Sequence, residues 1–114
     1  YNNGVAFRYE LTGMNNETLP EERTAYIIPE GINRWVQRWT EPYEAFFPHA
    51  TTGESRDHRW GYPALFEPQE GIFALISEAD ISRRQSASCL RNDGNVERYR
   101  VCPDKNDLTL TDNW

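Results

Sequence analysis

Glu78 and Asp80 are the residues of this chain best placed to do chemistry, because they put two carboxylates directly after the apolar run Ile72–Ile76. On a continuing strand, residues two apart point to the same side. The pair could then hold a hard cation or face a substrate, and the alternative is a pair of solvated charges opening the next loop. Ca²⁺ takes about six to eight oxygens, so Glu78 and Asp80 cannot complete such a site and a partner must supply the rest. The carboxylates are too close in sequence to assign as the acid and base of a glycosidase, whose stereochemistry depends on their separation.

The elements that must position these groups are strands. Ile72–Ile76, bounded by Glu70-Gly71 and Ser77-Glu78, is predicted to be a central strand buried on both faces, with residues 62–66 as its hairpin partner. Val5, Phe7, Tyr9 and Leu11 alternate with polar residues and predict a half-buried strand, followed by a loop rich in Gly, Asn, Thr and Pro over residues 12–20. Residues 23–28 alternate again, and residues 33–40, where the spacing of Trp35 and Trp39 fits one face of a short helix as well as one face of a strand, are read as a strand. Residues 41–61 lose the apolar pattern and read as one long excursion with a short aromatic turn at 43–47, and residues 108–111 begin a last strand. Strands separated by turn signals, without a convincing amphipathic helix, predict an all-β fold, an antiparallel β-sandwich.

Composition narrows the partners. The 114 residues carry a formal net charge of -6, which disfavours nucleic acid and acidic membrane surfaces. No stretch approaches the ~20 apolar residues of a membrane span. Aromatic residues form 13% of the chain, four of them Trp. Trp35, Trp39, Trp60 and Tyr62 are candidate sugar platforms or, as the commoner alternative, packed core. Arg8, Arg34, Arg38 and Arg59 read as solvated or ion-paired surface groups. There is no Gly-x-Ser-x-Gly elbow, and His49 and His58 fall in the irregular excursion without an acid partner.

Cys89 and Cys102 flank the turn signal Asn92-Asp93-Gly94-Asn95, which predicts a hairpin. If Asn92 pairs with Asn95, Cys89 lies opposite Arg98 and Cys102 lies about 13 Å further along, beyond the ~7 Å limit for a bridge. Two thiols are therefore expected over a bridge, which would need a bulge or a longer loop to bring the pair into register. Two sulfurs and two His at these spacings do not make a zinc site.

The order of segments carries a resemblance. Asn3-Gly4-Val5-Ala6-Phe7-Arg8-Tyr9, the Thr24-to-Pro29 strand, Trp35 with Tyr43-Glu44, Tyr62-Pro63-Ala64-Leu65-Phe66 and Ile76-Ser77-Glu78-Ala79-Asp80-Ile81 resemble the amino-terminal domain of glycoside hydrolase family 97. The resemblance implies that residues 1–114 are part of a larger super-sandwich. That domain packs on a catalytic (β/α)₈ barrel of the same polypeptide, which carries the acid and the base or nucleophile and is absent from this chain. It also implies hydrolysis of α-glucosidic or α-galactosidic bonds in an oligosaccharide, Ca²⁺ in the active site with Glu78 as one ligand, and a periplasmic or extracellular bacterial location. Arg83-Arg84 stands where the family pattern leads one to expect a Tyr, and residues 54–59 form a charged insert, so substrate preference stays open. The alternative function is a free-standing carbohydrate-binding sandwich, and a third is a purely structural domain.

Overall fold

The computed structural model describes residues 3–9, 22–40, 42, 44–54, 58–79, 87–92 and 97–103. Within them the chain is all-β, with strands β1 (Ala25–Ile27), β2 (Asn33–Trp35), β3 (His49–Thr51), β4 (Arg59–Trp60), β5 (Ala64–Gln69), β6 (Ile72–Ile76), β7 (Ser88–Arg91) and β8 (Arg98–Pro103). They form two antiparallel four-stranded sheets, one ordered β1-β8-β7-β4 and the other β3-β2-β5-β6. The sheets pack as a sandwich, as the strand spacing predicts.

The inner faces follow from the pleat. Arg34, Phe66 and Ala74 are directly opposed across β2, β5 and β6, while Trp60, Leu90 and Val101 are opposed across β4, β7 and β8. Phe66, Trp60 and Leu90 build one core with Val36, Tyr62, Ala64 and Tyr99, Val101 and Ile76 pack against it, and Phe66 meets Tyr99 edge-on at 5.3 Å between ring centroids. Each fully buried side chain of this size contributes about 1.5–3 kcal/mol of transfer free energy.

Arg34 is a correction. It is buried rather than solvated: its Nη1 donates to the Tyr99 hydroxyl at 2.9 Å and its guanidinium lies 4.4 Å from the Trp60 ring centroid. One strand residue thus crosses the sandwich and ties the second sheet to the first. A planar cation with an apolar stem is tolerated there because the ring face and the phenol oxygen replace part of its hydration. Asn92 works similarly at the end of β7, accepting from Trp60 Nε1 at 2.8 Å and donating to the Arg98 carbonyl at 3.0 Å.

Other expectations are revised. Ile72–Ile76 is an edge strand, exposed along most of its length, and not a central one. A continuous apolar run shows only that both faces avoid water somewhere, and here β5 covers one edge alone. Residues 3–9 form no strand, and Val5 is 93% exposed. After β2 the chain leaves its sheet: Gly61 N donates to the Gln37 carbonyl at 3.0 Å and Trp39 N to the Arg59 carbonyl at 2.9 Å, so residues 37–39 run beside β4. Trp35 and Trp39 therefore serve different sheets. The excursion 41–61 contains β3 and β4, two strands too short to show a period. Residues 108–111 lie outside the described residues.

The β5–β6 hairpin closes through Glu70 and Gly71, and Gly71 has φ +76°, a left-handed conformation that glycine adopts without a Cβ clash. Pro68 has no N–H to give the ladder, and the register slips between Phe66 and Gln69 around it. In the other hairpin Cys89 stands directly opposite Cys102, which overturns the predicted register. The connection between β7 and β8 is longer than a two-residue Asp-Gly turn and places the strands differently. Both sulfurs are free in this structure.

Candidate functional site

Glu78 sits where β6 ends, half-buried. Its Oε1 accepts from the Ser88 amide at 2.9 Å and from Ser88 Oγ at 2.8 Å. Ser88 is the first residue of β7, so this contact joins the exit of an edge strand in one sheet to the start of an interior strand in the other. The Ser88 hydroxyl has one proton and gives it to Glu78, so the buried Tyr62 hydroxyl is the donor in the hydrogen bond it shares with the Ser88 side chain. Burial pushes the Tyr62 phenol up, and the nearby Glu78 charge adds to the shift.

The relay Tyr62–Ser88–Glu78 fixes one carboxylate oxygen and leaves Oε2 without a hydrogen bond among the described residues. A carboxylate held this way can serve as one ligand of a hard cation. Among the described residues no group of three or more His, Cys, Asp or Glu is close enough to hold a metal. Asp80, the other half of the predicted pair, lies outside them. Sequence reasoning missed Ser88 and the role of Tyr62. Nothing in their spacing to Glu78 carries a period, since the contacts are made between sheets.

The sugar platforms are rearranged as well. Trp60 and Tyr62 are core. Trp39 is stacked by Arg59, whose guanidinium lies 4.3 Å from the ring centroid. Trp35 remains on the outer face of the second sheet, 5.2 Å from the His49 ring and 6.0 Å from Phe73. Beside it Asn33 Nδ2 donates to Glu67 Oε2 at 3.0 Å, and Asn33 Oδ1 lies 3.1 Å from His49 Nε2. The Gly71 amide, at 2.8 Å from Oε1, together with Asn33 and the nearby His49, holds the Glu67 carboxyl below its ordinary value of 4.5. The rest of this face on β6 is apolar: Phe73 and Leu75 are 56% and 64% exposed.

Comparison with known proteins matches the chain to a family. The profile described as "Glycosyl-hydrolase 97 N-terminal" covers residues 1–109. Over 98 residues the chain is 31% identical to a "Probable retaining alpha-galactosidase" of Streptomyces bingchenggensis (strain BCW-1), an alignment spanning 86% of this chain and 15% of that protein. No solved structure matches. Among the described residues no helix is long and apolar enough to cross a membrane. The chain belongs to the glycosyl-hydrolase 97 N-terminal family.

Proposed function

We propose that this chain is the non-catalytic sandwich portion of a calcium-dependent, secreted or periplasmic α-glycosidase. In this reading it lends Glu78 to the metal and packs against a catalytic barrel in the same polypeptide. The observation that carries the reading is the Glu78 carboxylate, anchored on one oxygen by Ser88 and with no hydrogen bond to the other among the described residues. The retaining α-galactosidase named for the relative favours α-galactosidic over α-glucosidic bonds as the substrate of the whole protein.

When bound, Ca²⁺ supplies Lewis-acid polarisation of the sugar and positive charge beside the reacting centre. The work of this chain's residues is orientation. Ser88 sets the direction of the Glu78 carboxylate, and Tyr62, buried at the sheet interface, sets the direction of the Ser88 hydroxyl. In this reading the acid and the base or nucleophile belong to the barrel, as the family resemblance implies. The apolar face of β6 suits a surface covered by the rest of the polypeptide.

The test is hydrolysis of an aryl α-galactoside by the full-length protein at graded Ca²⁺, native against Glu78→Gln. Removing one ligand charge is expected to raise the Ca²⁺ needed for half-maximal activity about tenfold or more, with partial rescue at excess Ca²⁺. Unchanged Ca²⁺ dependence would return Glu78 to a structural role. The second reading, a carbohydrate-binding face, is favoured by Trp35 beside Asn33 and Glu67. It requires that Trp35→Ala weaken binding of a galactose oligosaccharide without altering Ca²⁺ dependence.

A further inference from the structure

The hydrogen-bond directions in the first sheet define the geometry of its two cysteines. Val101 N donates to the Thr24 carbonyl at 2.9 Å and Ile28 N to the Glu97 carbonyl at 2.7 Å, so the odd-numbered residues of β8 bond toward β1. Cys102 therefore turns its amide and carbonyl toward β7. Asn92 N donates to the His58 carbonyl at 3.3 Å, so the even-numbered residues at β7 bond toward β4 and Cys89 bonds toward β8. Cys89 and Cys102 are thus a hydrogen-bonded pair of the antiparallel ladder. Such pairs have Cα atoms about 5.5 Å apart with both side chains on one face, inside the ~4.4–6.8 Å Cα window that disulfides occupy.

The two sulfurs differ in access. Cys89 is fully buried and its Sγ accepts a hydrogen bond from Arg59 Nε at 3.3 Å, whereas Cys102 is partly exposed. A donor from a guanidinium is the kind of contact that accompanies reactive thiolates. Cys89 also follows Ser88 directly, so the rung that would carry the bond adjoins the Ser88–Pro103 rung, whose serine bonds Glu78.

We propose that Cys89 and Cys102 are a cross-strand disulfide site, closed by a low-molecular-weight disulfide such as oxidised glutathione. The Cys102 thiolate attacks one sulfur of the donor, forming a mixed disulfide and expelling one glutathione thiolate. The Cys89 thiolate then attacks Cys102 Sγ, forming the Sγ–Sγ bond and expelling the second. The cysteines lose two electrons that the donor gains, and their two thiol protons are taken up by the released thiolates. Cys102 is the entry sulfur and Cys89 the resolving one. The inference rests on strand register and is independent of the calcium reading.

Arg91, Arg98 and Arg100 lie between the cysteines, so trypsin separates the chain there into peptides that only a disulfide can hold together. The full-length protein is incubated with oxidised glutathione, blocked with an alkylating reagent in denaturant, digested without reductant and measured by mass spectrometry. A linked pair of peptides 85–91 and 101–105, replacing their two alkylated forms and lost on reduction, is the expected result. Cys89→Ser is expected to stop at glutathione on Cys102, and Cys102→Ser to leave native Cys89 unmodified. Two alkylated peptides with no linked species, or a wild-type protein that stops at the mixed disulfide, would overturn the proposal.

Discussion

The two hairpins β5–β6 and β7–β8 are opposite in the fold to what their compositions suggest. β6 is the most apolar strand of the chain, Ile-Phe-Ala-Leu-Ile, and lies exposed at a sheet edge. β8 reads Arg-Tyr-Arg-Val-Cys-Pro and lies inside its sheet between β1 and β7, with Tyr99 fully buried. Burial is decided by which neighbours cover a strand. In β8 alternation suffices, because Tyr99 and Val101 face the core while the arginines face out. In β6 both faces are apolar and only one has a partner sheet here, which leaves a surface suited to the rest of the polypeptide.

Substitutions test this contrast most sharply. Leu90→Ala in β7 is expected to lower unfolding free energy by about 2–5 kcal/mol, because the cavity opens beneath Trp60 and Val101. Leu75→Ala in β6 is expected to stay within about 0.5 kcal/mol when the chain is studied alone. Denaturant unfolding followed by tryptophan fluorescence compares them directly. Equal losses would show β6 buried by a contact absent from this description. Asn92→Leu comes next, at about 1–3 kcal/mol, since the Trp60 indole N–H loses its acceptor in the core.

Titration separates the hairpins again, with smaller effects. Burial raises the Tyr62 and Tyr99 phenols above their ordinary 10.0. Above that value the unfolded chain releases phenol protons that the folded chain retains, so stability is expected to fall as pH rises past about 10. Unfolding midpoints across alkaline pH would read this, and Tyr62→Phe should flatten the slope. Glu67, on the exposed side, has its carboxyl held below 4.5 and so stabilises the fold at neutral pH. That contribution is lost as pH falls through the lowered value. Native and Glu67→Gln midpoints should therefore differ slightly at pH 7 and converge in acid.

Much of this protein is written in short-range pattern. Alternation at residues 23–28, the Glu70-Gly71 turn and the absence of helical periodicity were enough for an all-β antiparallel sandwich, because pleat and turn chemistry act over a few residues. The motif order was enough for the family. The position of Glu78 at the end of a strand was legible, since a carboxylate ending an apolar run stands out in any sequence.

Tertiary structure alone decided the rest. The choice between edge and interior for Ile72–Ile76, the burial of Arg34 against Tyr99 and Trp60, the crossing of residues 37–39 to the other sheet, and the pairing of Cys89 with Cys102 all depend on strands distant in sequence. The Ser88 contact that orients Glu78 is of the same kind, made between two sheets across ten positions. The physical reason is that pleat and turns are local free energies, whereas coverage, register and interlayer hydrogen bonds exist only once two sheets meet.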